Sequence, residues 1–246
     1  MSIGPFSMEP HQPLSPQLTH HSTPPDPMES LIADMRDHVP DKDVDDTFLL
    51  WCLKARSGSV DQAATVATRF LRFRRQEGWP IRLSAEHAGR SLLTDMHWLL
   101  PGTDLEGRGL FCWNARCLSD KTITIEEHQR AGMYLAELAL HRTEIVKNGI
   151  TIIADMRGTS ISTLADVGLR DIRRTAQMWC DAFPLRLKCF LVVGVTGVTR
   201  TFINIVLSLL PKKLCSRVQF VTDVTELYAH VDPNNLPESL GGNMQK

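Results

Sequence analysis

The chain has 246 residues, with 27 Lys and Arg against 28 Asp and Glu, and a formal net charge of -1 at pH 7. That length can bury a full hydrophobic core. The near-neutral balance argues against a basic nucleic-acid-binding domain, so no nucleic-acid partner is expected. The six cysteines, Cys52, Cys112, Cys117, Cys180, Cys189 and Cys215, show no Cys-x-x-Cys spacing, and most lie in apolar runs. They read as reduced, buried thiols rather than a disulfide framework or a zinc site.

Residues 1–27 are rich in Pro (Pro5, Pro10, Pro13, Pro16, Pro24, Pro25, Pro27) among Ser, His and Gln. Such a segment buries too little surface to offset its ordering entropy and is expected to be a disordered tail. It lacks the basic and apolar regions of a secretory signal. His11, His20 and His21 have no Cys or carboxylate at ligand spacing, so no metal site is expected. Met28 to Val39 predicts a short amphipathic helix with Leu31, Ile32 and Met35 on one face and Pro40 as its stop. Asp41, Asp43, Asp45 and Asp46 lack the Gly and Glu of an EF-hand loop and read as carboxylates at a helix start. A helix then runs from Asp45 or Asp46 to Arg56, ended by Ser57-Gly58. Ser59 predicts the cap of the next helix, from Val60 to about Gln76, with Gly78 and Pro80 beyond its end. Residues 81–100 read as further helix and loop, which makes 28–100 a helical annex to a second domain at 101–242.

Past Pro101 the pattern changes. Leu110 to Trp113 predicts a strand, Thr124 to Val146 a long helix, and Lys147-Asn148-Gly149 its stop. Ile150 to Ala154 is a β-branched apolar run, expected to be a strand buried on both faces. Leu164 to Asp181 reads as helix, Leu187 to Val193 as a second buried strand, Arg217 to Val221 as another, and Glu226 to His230 as a helix. Strands alternating with helices give an α/β class with a largely parallel sheet.

One stretch stands out. From Ala182 to Thr222 there is no Asp or Glu, while Arg186, Lys188, Arg200, Lys212, Lys213 and Arg217 are basic. Within it Phe202, Ile203, Ile205, Val206, Leu207, Leu209 and Leu210 form an apolar helix ended before Pro211. Arg200, Asn204 and Ser208 supply a narrow polar stripe. The segment is far shorter than the ~20 residues needed to span a bilayer. The same pattern fits a core helix on a sheet, with Lys212 and Lys213 complementing a helix C-terminus. The neighbouring cations favour a surface that meets an anionic membrane. Enzyme readings have less behind them. Gly194 and Gly197 follow a strand but form neither Gly-x-Gly-x-x-Gly nor a Walker loop. The run at Gly158 lacks the last Gly of a nucleophile elbow. His128, Glu137, His141 and Glu144 read as a solvent face, and Asp155 as structural. No catalytic residue is assigned.

Five stretches, in order, resemble the CRAL-TRIO (Sec14-like) lipid-transfer family. They are DDTFLLWCLKARSGSVDQAA (45–64), Glu106-Gly-Arg-Gly109, KNGITIIADMRG (147–158), DAFPLRLK (181–188) and ELYAHVDPNNLPESLGG (226–242). The chain is most similar to the branch of the α-tocopherol transfer, retinaldehyde-binding and clavesin proteins. The resemblance implies a mixed sheet flooring an apolar pocket, shut by a mobile helix at about Thr199 to Leu210. It places the pocket on Ile150, Ala154, Met178, Trp179, Leu185, Phe190, Phe202 and Ile205. It places a phosphoinositide cleft on Arg56, Arg186, Lys213 and Arg217, with Lys188 adjacent. It implies a monomeric cytoplasmic carrier without a cofactor, peripherally bound to endosomal or other intracellular membranes that contain phosphatidylinositol bisphosphates. The ligand would be a hydrophobic small molecule or lipid: tocopherol-, retinoid- or phospholipid-like. The alternative is a lipid-sensing regulatory or scaffolding module that recruits a protein partner. Trp51 and Lys54 stand where Arg is usual, and Gly194-Val195-Thr196 replaces an Asn-x-Pro loop. Small Ala154 and large Trp179 imply a reshaped pocket.

Overall fold

A computed structural model describes residues 27–39, 41, 43–195 and 197–244. The tail expected at 1–27 lies outside them, apart from Pro27. The annex begins with α1 (Pro27–His38), α2 (Asp46–Ala55) and α3 (Val60–Gln76). Asp45 caps α2 as its sequence predicts, its carboxylate accepting from the Phe48 amide at 2.7 Å. Ser59 holds the cap position of α3 but makes no side-chain bond there. Between the two helices Ser57 (φ 54°) and Gly58 (φ 82°) are both left-handed, which reverses the chain in a tight turn. A short α4 (Ala85–Ala88) and a 3₁₀ turn at Gly89–Leu93 follow.

The second unit is built on one five-stranded sheet. Its elements are β1 (His97–Thr103), β2 (Gly109–Asn114), α5 (Ile125–Ala139), α6 (Thr143–Asn148), β3 (Ile150–Asp155), α7 (Ile161–Ala165), α8 (Leu169–Gln177), β4 (Leu187–Val193), α9 (Gly197–Ser208), α10 (Lys212–Cys215) and β5 (Val218–Val221). The strand order is β1-β2-β3-β4-β5, with β1 antiparallel to β2 and the other pairs parallel.

Several expected elements differ. The range 81–100 ends in β1, and the expected domain boundary at 100 falls inside that strand. Pro101 and Gly102 are tolerated because β1 is an edge strand. The long helix expected to Val146 breaks at Leu140–Arg142 and restarts as α6. Arg142 turns back there and donates to the Leu100 and Pro101 carbonyls, at 2.9 and 2.8 Å, tying β1 to the break. The helix expected from Leu164 to Asp181 is α7, α8 and a π-helical turn at Met178–Ala182. Val224–Ala229 is 3₁₀ rather than α-helix.

The two sheet faces separate two packing layers. Ile150, Ile152 and Ala154 pair with Leu187, Phe190 and Val192, whereas Thr151 and Ile153 pair with Cys189 and Leu191. Pairing Ile150 with Leu187 and then Thr151 with Cys189 leaves Lys188 unmatched, which is a β-bulge. The bulge keeps Leu187 on the same face as Phe190 and Val192 and leaves Lys188 exposed. Cys189, Leu191 and Val193 pack on the opposite face with Leu227, Val231, Leu236 and Leu240 from the closing segment.

One buried ion pair pins the annex to this unit. Arg74 of α3 is 0% exposed and is salt-bridged to Glu137 of α5, which also accepts from the Leu83 amide at 3.1 Å. The guanidinium lies over the rings of Phe70 (4.8 Å) and Trp79 (5.6 Å). Glu137 and His128 are therefore core residues, not part of the solvent face expected for them. His128 is bonded to Ser91 Oγ at 2.7 Å, and His141 stacks edge-on against Trp51. No cluster of three His, Cys, Asp or Glu with metal-binding potential occurs among the described residues.

Candidate functional site

The face of the sheet carrying Ile152 and Ala154 does not fill its own core. A cavity of about 260 Å³ remains between the sheet and the helices around it. Its floor is Phe111 and Trp113 of β2, Ile152 and Ala154 of β3, and Phe190 and Val192 of β4. Met178 and Trp179 of the π turn, with Ile172 and Ala176 of α8, form one wall. Met96, His97, His128, Gln129 and Gly132 form another. Apart from His97, His128, Gln129 and Thr175, the side chains around it are apolar, an environment that favours a nonpolar guest.

Helix α9 covers the cavity. Phe202, Ile203, Val206 and Leu207, with Leu210 just beyond, face inward at helical spacing. Yet no residue of α9 is fully buried. Val198 (71% exposed), Ile205 (60%) and Leu209 (49%) turn apolar surface outward. A core helix would have buried these side chains. The helix ends before Pro211, as expected. The Leu207 carbonyl accepts from the Leu210 amide at 3.0 Å and also from the Cys215 thiol at 3.0 Å, which ties the end of the helix to α10.

Five of the eight pocket positions expected from the family resemblance, Ala154, Met178, Trp179, Phe190 and Phe202, line this cavity. The other three do not, and the structure corrects them. Ile150 shares the floor's face but is packed at the entry of β3 in the core beneath the annex. Leu185 is buried in the loop before β4 and borders a different cavity. Ile205 points to the outer side of α9. Ile152 and Val192 were legible from strand alternation, since they lie two residues from Ala154 and Phe190. His97 had no such signal, because β1 itself was not predicted, whereas His128 and Gln129 stand on the predicted helix that starts after Thr124, whose solvent face His128 was read to share.

The second cavity, about 290 Å³, is lined by Arg56, Arg186, Lys188, Lys213 and Arg217 together with Ser57 and Gln62. Four separate pieces of chain deliver these cations. Arg56 comes from the turn after α2, Arg186 from just before β4, and Lys188 from the β4 bulge itself. Lys213 comes from α10 and Arg217 from the entry to β5. Among the described residues none of the five is in an ion pair, although Arg186 donates to the Lys147 carbonyl. Burial lowers the pKa of Arg56, and Arg186 and Arg69 push it the same way. Burial also lowers that of Lys188, followed by repulsion from Arg186, Arg108 and Arg217. Cations held together without counter-charge make an anion site. Lys212 and Lys213 lie in the single turn of α10, where they also complement a helix C-terminus, and only Lys213 lines the cleft.

The two cavities share a wall. Trp179 and Leu187 line both. Trp179 is held edge-on against Phe111 and Phe183, with centroids 5.3 and 6.2 Å away. No described helix is long and apolar enough to cross a membrane.

The alpha-tocopherol transfer protein-like protein of Mus musculus is 28% identical over 207 residues, covering 81% of this chain and 59% of the relative. Its Homo sapiens counterpart is 27% identical over 203 residues, with the same coverage. The chain therefore spans about six tenths of the length of these relatives. It also matches the Homo sapiens tyrosine-protein phosphatase non-receptor type 9, at 29% identity over 77% of this chain but only 32% of that protein. Among solved structures, Sfh5 superposes with a TM-score of 0.56 at 12% identity, covering 82% of each chain, and supports the fold alone. The family profile of the CRAL/TRIO domain matches residues 94–242, from the approach to β1 through the closing segment, and the chain belongs to that α/β lipid-binding family.

Proposed function

We propose that this chain carries one hydrophobic small molecule or lipid in the α9-covered cavity and exchanges it at membranes that contain phosphoinositides. The observation that carries the reading is the juxtaposition of the two cavities. An apolar hollow and an uncompensated cationic cleft meet at Trp179 and Leu187. A bisphosphorylated inositol headgroup offers several acceptor oxygens to Arg forks and Lys point charges. Each cation near an anionic leaflet contributes about 1 kcal/mol, and the outward Val198, Ile205 and Leu209 add apolar insertion. Headgroup binding promotes release if the open arrangement of α9 binds the headgroup more tightly than the closed one. Arg56 belongs to the 28–100 annex and the other four cations to the 101–242 unit, so the exchanging body comprises both. No covalent step and no cofactor enter this scheme. The protein acts as a cytoplasmic monomer that visits membranes peripherally, and its ligand is of tocopherol, retinoid or phospholipid type.

The test is ligand transfer between vesicles. Adding a phosphatidylinositol bisphosphate to the acceptor vesicles accelerates transfer if the reading holds. A flat response, with the ligand still bound, contradicts the exchange step and favours a lipid-sensing module.

A further inference from the structure

The cavity is apolar except at one wall, and there the polar atoms are left over in a specific way. His97 Nε2 lies 2.9 Å from the His128 carbonyl oxygen. A carbonyl only accepts, so Nε2 carries the proton and Nδ1 is a bare acceptor. Burial drives this imidazole down to about 3, so it stays neutral across the physiological range. Gln129 is fixed just as firmly. Its Nε2 donates to the Asp171 carbonyl at 3.1 Å and to Thr175 Oγ1 at 2.8 Å, and Thr175 Oγ1 gives its own proton to the Asp171 carbonyl. Flipping the amide would set oxygen against a carbonyl oxygen, so Oε1 is the remaining atom. His97 Nδ1, His128 Nε2 and Gln129 Oε1 are all buried without a hydrogen-bond partner. They belong to one neighbourhood. Gln129 follows His128 on α5, and Gly132, one turn later, lets the His97 ring approach so closely that an added Cβ would meet it at 3.2 Å.

Two acceptors of fixed polarity in the wall of an apolar cavity require a donor. We infer that the His97–Gln129 wall is a polar-head subsite that selects ligands bearing a hydroxyl or another hydrogen-bond donor over otherwise identical ligands that only accept. This deepens the carrier reading above and rests on it. Ethers, esters, ketones and hydrocarbons leave both acceptors unpaired, whereas an alcohol satisfies at least one. His128 Nε2 adapts to either partner, because its tautomer follows the direction of its bond with Ser91.

The experiment titrates the full chain with dodecanol and with dodecyl methyl ether, read from the fluorescence of Trp113 and Trp179 in the cavity lining. The alcohol is expected to bind about tenfold or more tightly than the ether. His97→Phe and Gln129→Leu are expected to reduce that ratio towards one while leaving ether affinity within about twofold. Equal affinity of the unmodified chain for the two compounds overturns the subsite but not the carrier. Binding of neither compound overturns the carrier reading itself. Should a substitution prevent folding, the ratio measured on the unmodified chain decides alone.

Discussion

Reversing Lys213 and Arg217 to Glu tests the cationic cleft where the structure makes it cleanest. Neither side chain is in a hydrogen bond or an ion pair among the described residues, and Lys213 is exposed. Arg217 contributes to the fold through its backbone. Its carbonyl accepts from the Phe190 amide at 2.9 Å and its amide donates to the Leu214 carbonyl at 3.0 Å, and Glu keeps both bonds. The substitutions should therefore move stability by no more than about 0.5 kcal/mol each. Membrane affinity responds differently. Each reversal removes an attraction of about 1 kcal/mol and substitutes a repulsion of similar size. Two reversals total roughly 4 kcal/mol, or about 10³ in partition coefficient at low salt. At physiological ionic strength the screening length is about 8 Å, which reduces the loss towards roughly 10². The assay is co-sedimentation with vesicles containing phosphatidylinositol bisphosphate, at two salt concentrations, beside a thermal melt. Binding within threefold of the unmodified chain, with an unchanged melt, would refute the cleft assignment.

Other expectations follow from the same geometry. Trp179→Ala removes the partition between cavity and cleft. It should weaken binding of an apolar probe at least tenfold and blunt the response of transfer to phosphoinositide, both measurable in the vesicle assay. Glu137→Gln leaves the Arg74 charge buried without its counter-ion and should cost about 3–5 kcal/mol in denaturant unfolding. Arg74→Met in the same background should recover much of that, since Met restores an apolar filling. His97 stays neutral in the folded chain down to about pH 3, while the unfolded chain takes its proton near 6.5. The unfolded state thus binds more protons between those values, and stability falls as pH drops through that window. Between pH 7 and pH 5 this group should account for about 2 kcal/mol in urea titrations. His97→Phe should abolish that share, and an unchanged pH slope would contradict it.

The parallel core was written plainly in the chain. Ile150 to Ala154 and Leu187 to Val193 are β-branched or apolar runs bounded by Gly and Pro, so burial on both faces followed directly. The four cations that face the cleft with Lys188 stood out because no carboxylate interrupts 182–222 and Arg56 falls in the annex motif. What could not be read is what depends on exceptions to periodicity. The bulge at Lys188 shifts the strand's parity, which places Leu187 in the apolar cavity and Lys188 in the cleft, and nothing in the spacing marks it. The π turn at Met178–Ala182 re-aims Trp179 so that it serves both cavities, whereas a continuous α-helix was expected there. β1 has only a short apolar run before Pro101, too little to distinguish it from loop, and with it the wall of His97 was hidden. Ile205 was placed in the pocket by the family resemblance, and because α9 is apolar around most of its circumference the periodicity could not show that it faces out. Which side faces in is decided by the sheet beneath it, not by the helix.

The claim on which everything else rests is that the hollow under α9 holds a guest. The most direct measurement is native mass spectrometry of the purified full chain, followed by analysis of its organic extract. One equivalent of a hydrophobic compound, lost when Val192 or Ala154 is enlarged to Trp to fill the cavity, is the predicted result. A chain that carries no such compound and takes up none from vesicles, with the cavity-filling variants behaving the same, would contradict the account.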